Sequence, residues 1–254
     1  MSGGHGYIEA LLGVGTLVGF LSGLLGKGGS AVTTPILQVF LHVPDYLALA
    51  SPLPSALPTL LAAAWAYRGR GLVDERVVKS CALWGFPATI AGSFLSARVS
   101  GPALMVMSAL LIAGLGVSLV FEGEPPQGGG PPPTAWKVAA IAIFVGGLSG
   151  LLANSGVVLF GPLFISVLRL PTKTAIACSM IVAAILAVPG LAVHVYLGHV
   201  DWTIVVALSV AAIPSSYLGA RLALRLRDKT LLRVYGALLS LFGLYDVWFS
   251  LRGH

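Results

Sequence analysis

Charge is what this chain has least of: Lys, Arg, Asp and Glu make up 9% of its 254 residues, against about 25% in a soluble domain. So little polar material cannot cover a water-facing surface, which excludes an ordinary soluble globular protein. Cysteine is nearly absent too. Cys81 and Cys178 both stand in apolar stretches, which argues against a disulfide framework and a cysteine-rich metal site. The period-two alternation of a transmembrane barrel is missing. So is a nucleotide-binding loop, because Lys27 precedes Gly28 where Ser or Thr would be needed. Direct ATP coupling and a bound cofactor are therefore not expected.

Apolar side chains are abundant: 57% of residues are hydrophobic and the mean hydropathy is +0.93. Runs near 20 residues recur from end to end, each able to cross a hydrocarbon core about 30 Å thick. These features predict an all-α integral membrane protein, solvated by the lipid bilayer. The formal charge of +6 does not imply a nucleic-acid partner, since the basic residues sit in short loops where they orient spans. The first apolar segment begins near Tyr7 without a basic n-region and reads as a retained span.

The chain repeats itself. Gly19 to Leu25, GFLSGLL, matches Gly146 to Leu152, GGLSGLL, at an offset of 127. The same offset places Gly29 on Gly156, Pro35 on Pro162, Pro44 on Pro171, Gly71 on Gly198, Asp74 on Asp201 and Gly92 on Gly219. Three units follow: a first membrane repeat over 1–121, a Pro/Gly-rich linker over 122–136, and a second membrane repeat over 137–254. Five apolar segments are expected in each repeat, roughly 7–25, 30–43, 46–67, 77–97 and 103–121, then 138–152, 157–170, 174–196, 203–222 and 231–251. The second segment of each is too short for a full span and reads as short or re-entrant.

Loop charge supplies orientation. Arg68, Arg70, Arg76 and Lys79 follow the third segment of the first repeat, whereas 197–203 carries no Lys or Arg. After the fourth segment the bias reverses, with Arg98 alone against Arg221, Arg225, Arg227, Lys229 and Arg233. Basic loops stay cytoplasmic, so equivalent loops face opposite sides. Inverted repeats are expected, with the linker inside and both termini extracytoplasmic.

Two chain breaks carry the functional expectation. Gly26-Lys27-Gly28-Gly29-Ser30 and its mate Ala153-Asn154-Ser155-Gly156-Val157 each interrupt an apolar stretch before a short helix. Irregular backbone at membrane depth survives where it lines a cavity. A helix start offers unpaired N–H groups and a positive dipole end to an anion. Lys27, Gly28, Gly29 and Ser30 are candidate anion contacts, with Asn154, Ser155 and Gly156 in the mirrored position. The proline-rich third segment adds Ser51 and Ser55, one turn apart, and Ser179 stands opposite Pro52 in the repeat. His194, inside a span with Tyr67 near it in the repeat alignment, is a candidate proton relay. Asp45, Thr172, Asp74 and Asp201 read as helix N-caps. No metal site is expected.

GLLGKGGSAVTTPIL at 23–37, Pro44, Ala48-Leu49-Ala50-Ser51 and the Gly71–Asp74 turn, with the second copy GLLANSGVVLFGPLF at 150–164, resemble the sulfite exporter TauE/SafE family of membrane proteins. The resemblance spans essentially the whole chain. It implies a multi-pass transporter in the cytoplasmic membrane, not an enzyme, for a small anionic substrate such as sulfite or an organosulfonate. It also implies eight spans, which two re-entrant segments would reconcile with ten. A homodimer is a candidate assembly. The alternatives are an intramembrane serine hydrolase using Ser30 and His194, and an anion channel.

Overall fold

The computed structural model describes residues 3–25, 30–67, 71–121, 133–153, 157–227 and scattered residues between 229 and 248. Among them are ten helices and no strand. The first repeat contributes α1 (Gly3–Leu25), α2 (Ser30–Val39), α3 (Asp45–Ala50), α4 (Pro52–Tyr67), α5 (Glu75–Ser96) and α6 (Gly101–Phe121). The second contributes α7 (Ala135–Leu151), α8 (Val157–Ser166), α9 (Thr172–Tyr196) and α10 (Trp202–Arg225). Four described stretches, Gly6–Leu24, Asp45–Tyr67, Thr172–Tyr196 and Trp202–Arg225, are long and apolar enough to cross a membrane. This is a multi-pass helical membrane protein. The short second segments are ten residues each, about 15 Å of helix, half a hydrocarbon core. Segment 231–251 lies largely outside the described residues.

The long helices α1, α4, α5, α7, α9 and α10 each pack chiefly on a partner from the other half of the chain, whereas the short α2, α3 and α8 pack chiefly within their own half. α1 lies along α10 and α5 along α7, while α4 contacts both α10 and α9. Glycine makes the contacts close. A Cβ on Gly23 would collide with the Ser216 backbone, and one on its equivalent, Gly150, with the Thr89 backbone. Gly219 is pressed on Phe20 in the same way, and Gly92 on Gly147. Thr89 and Ser216, and likewise Phe20 and Gly147, are themselves 127 residues apart. The two interfaces are thus built from equivalent residues. In lipid, where burial of apolar surface provides no drive, small residues that let backbones touch are what hold helices together.

Backbone turns follow the same pairing. Gly71 and Gly198 have φ of 63° and 73°, and His42 and Arg169 have φ of 51° and 55°. Asp74 and Asp201 cap as expected: the Asp74 carboxylate accepts from the N–H of Arg76 and Val77, and that of Asp201 from Thr203 and Ile204. Asp74→Ala and Asp201→Ala should each cost about 1 kcal/mol, read as a lower midpoint of thermal unfolding in detergent. Asp45 and Thr172 do not cap. Pro44 and Pro171 occupy the cap positions in extended conformation (ψ 145° and 142°), and neither α3 nor α9 has a side-chain cap. The Asp45 carboxylate instead accepts from Gln38 Nε2 at 2.8 Å.

Candidate functional site

Lys27, Gly28, Gly29, Asn154, Ser155 and Gly156 lie outside the described residues, as does the side chain of Ser30. Their flanks are clear. α1 stops at Leu25 and α2 starts at Ser30; α7 stops at Leu151 and α8 starts at Val157. Ala153 takes a left-handed conformation, φ 49°, unusual for a residue with a Cβ, as the chain leaves α7. Each short helix opens with N–H groups that have no intrahelical acceptor and with the positive end of its dipole.

One turn into α2, Thr33 meets Ser55 and Thr59 of α4 around a cavity of about 20 Å³ closed by α1 and α10 through Gly15 and Ala212. That is room for one water-sized polar atom. All three hydroxyl residues are buried. The Ser55 hydroxyl donates to the Pro52 carbonyl at 2.8 Å and that of Thr59 to the Ser55 carbonyl at 2.6 Å. Rotation about the Cβ–O bond would turn either donor toward a guest without moving the backbone.

The equivalent positions of the second half of the chain are apolar. At the equivalent positions Phe160 replaces Thr33, Val182 replaces Ser55 and Leu186 replaces Thr59, and all three are fully buried in the main core. Equivalent positions thus carry hydroxyls around a hole in one half of the chain and buried apolar side chains in the other. Thr33 and Thr59 were not singled out from the sequence; the hydroxyl at Ser55 and the next one a turn later were the available signal.

Ser51 and Ser179 are elsewhere. Ser51, at the bend between α3 and α4, is fully buried and its Oγ accepts the Asp201 N–H at 2.9 Å. Its equivalent, Cys178, accepts the Asp74 N–H through Sγ at 3.2 Å. The pair ties each capped turn to the opposite repeat. Ser179, also fully buried, donates to the Ile176 carbonyl at 2.9 Å.

His194 lies in the last turn of α9 and is 2% exposed. Its Nε2 lies 2.9 Å from the Gly150 carbonyl, and its Nδ1 3.3 Å from Nδ1 of His199. His199 stacks on Tyr46 at a centroid distance of 4.7 Å, and the Tyr46 hydroxyl donates to the Val99 carbonyl at 2.9 Å. This cluster marks the end of the molecule farther from the linker. The linker end differs. There a cavity of about 880 Å³ is walled by the first turns of α5, α7 and α9, with Asp74, Arg76, Ser80, Val138, Pro171 and Thr174 on its surface. At the far end the equivalent positions include Leu11, Ala207 and Ile204, and these pack into an apolar cluster with Leu37 and Val43.

Comparison with known proteins agrees with these features. The chain is 30% identical to a probable membrane transporter protein of Xylella fastidiosa strain 9a5c, over 94% of each chain. It is 25% identical to the probable membrane transporter protein YunE of Bacillus subtilis, over 94% of this chain and 98% of that one. No solved structure matches. Residues 11–245 match the family described as sulfite exporter TauE/SafE. Broken, glycine-zipped helices with a polar hole between them are thus the frame of a membrane transporter, and the chain belongs to the TauE/SafE sulfite exporter family.

Proposed function

We propose that this transporter carries small sulfur-containing anions, sulfite or organosulfonates, outward across the cytoplasmic membrane. The supporting observation is the hydroxyl-lined cavity beside the start of α2, whose equivalent positions in the other half of the chain are the apolar Phe160, Val182 and Leu186. The dipole of α2 and the ammonium of Lys27 would supply positive potential, and Ser55, Thr59 and Thr33, around a hole that admits one atom, would supply hydrogen bonds to a single oxygen of an oxyanion. Ser51 and Ser179 act through packing in this reading. The reciprocal contacts of equivalent residues, with the alternating loop charges, support inverted repeats with extracytoplasmic termini. The linker-end cavity is then the cytoplasmic mouth. An anion leaving a negative interior gains about 2.3 kcal/mol per charge per 100 mV, so uniport would suffice for export.

Thr33→Phe copies the residue of the second repeat into the hole and tests this directly. In proteoliposomes the folded variant should transport sulfite about tenfold more slowly or worse, the worth of one hydrogen bond to an ion. Flux at the unmodified rate would show that the anion does not pass this cavity. Against the hydrolase reading, His194 Nε2 is held against the Gly150 carbonyl. Saturable countertransport would separate a carrier from a channel.

A further inference from the structure

His194 and His199 form a pair whose hydrogens are fixed by their partners. A carbonyl can only accept, so the Nε2 of His194 facing Gly150 O carries a hydrogen and its Nδ1 presents a lone pair. His199 Nδ1, 3.3 Å away, must then be the donor in the neutral pair, which leaves the lone pair on His199 Nε2. A proton from solution can bind that lone pair, forming one N–H bond and breaking none within the pair. A second cannot enter, because two N–H groups would then face each other across the Nδ1–Nδ1 contact. The geometry holds one added proton.

The pair sits where that charge has consequences. His194 stands in the last turn of α9, and the Gly150 carbonyl belongs to the last turn of α7, so the negative ends of two helix dipoles meet here. Three residues after Gly150 the chain turns left-handed at Ala153 and leaves the helix. Ser93 lies against Gly150 from α5; its Oγ is buried and has no hydrogen-bond partner among the described residues. The first half of the chain carries Tyr67 and Leu72 at the equivalent positions, so the imidazole pair belongs to the α7 end alone. Among the described residues, the titratable and charged groups nearby in the chain or on contacting elements include Tyr196 of α9, Asp45 and Tyr46 of α3, Arg98 of the α5–α6 turn and Asp201. Of these, the Asp45 and Asp201 carboxylates are engaged with Gln38 and with the α10 N-terminus. α7 presents only a carbonyl.

We propose that the His194–His199 pair is a one-proton site that places a positive charge on the end of α7, Gly150 to Ala153, so that an anion reaching the end of this helix is met by a proton taken up at the far end. The proposal rests on the anion-transport reading for its purpose, but not for its chemistry. Burial holds the His199 imidazole below its ordinary value, so the neutral pair prevails at neutral pH and the proton is taken up as the solution becomes acidic.

The test uses the full chain in nanodiscs, without any anion. Imidazole nitrogen resonances should show His194 in the Nε2–H form and the pair taking up one proton. Amide protection factors at Leu151, Leu152 and Ala153 should change across that titration on the order of tenfold, a usual size for coupling between sites. His199→Leu, which installs the first repeat's residue, and His199→Gln, which keeps a polar side chain, should both fold and both remove the pH dependence. Protection that follows pH in either folded variant as it does in the unmodified protein would overturn the proposal, as would His194 bearing its hydrogen on Nδ1. Sulfite flux is measured separately. Absent flux with the coupled titration intact would support the pair and count against the transport reading.

Discussion

Sulfite flux in proteoliposomes is expected to fall about a hundredfold when Lys27 becomes alanine, with the folded fraction unchanged, because a hydrogen bond to an ionised group is worth about 1.5–3 kcal/mol. Lys27 is a basic residue placed inside a glycine-rich interruption of an apolar stretch, between the end of α1 and the start of α2. An ammonium in such surroundings is costly unless it faces a cavity, water or a counter-ion. Its equivalent, Asn154, is neutral, so the charge is not needed to form the break itself. Removing it should therefore spare the fold and remove the attraction. Lys27→Arg should retain part of the flux by keeping the charge. Unchanged transport in the alanine variant would take Lys27 out of the mechanism and leave the cavity hydroxyls to carry recognition.

The second large effect concerns stability. Gly92→Val and Gly219→Val should each destabilise the folded protein by about 3 kcal/mol or more, at or above the usual range for overpacking. The obstructing atoms are backbone and cannot rotate away: a Cβ at Gly219 would lie 2.8 Å from Leu24 N, and one at Gly92 would lie 3.0 Å from Leu151 N. Since Leu24 and Leu151 are themselves equivalent, the two losses should be similar. Gly13→Ala, where a Cβ meets nothing within 4 Å, is the control. The folded fraction after heating in detergent reads all three. A harmless Gly219→Val would mean that α1 and α10 do not approach as described.

Much of the fold was legible because each segment announces itself locally. The expected starts and ends of the nine well-described segments fall within a few residues of the helices, and the 127-residue offset places turns, prolines and zipper glycines together. Capping was legible where an aspartate ends an extended turn, as at Asp74 and Asp201. It was misread at Asp45 and Thr172 because the preceding proline, already extended, takes the cap position and pushes the polar residue into the first turn. The cavity was not legible. Thr33 and Ser55 belong to different helices, and Gly15 and Ala212 to different repeats, so only three-dimensional packing brings them together. His199 was passed over for a similar reason: nothing in a short polar turn says that its ring reaches back to the helix it has just left. The polarity of the hole is a difference between equivalent positions, and it stands out only once the packing pairs them.

The marriage of α1 to α10 bears on how the protein is made. Synthesis runs from the amino end, so the first helix enters the bilayer some two hundred residues before its main neighbour exists, and α5 likewise waits for α7. Until then their notched faces look onto lipid. Neither half completes its own interior, and two separately produced halves should regain a stable fold only when made in the same membrane.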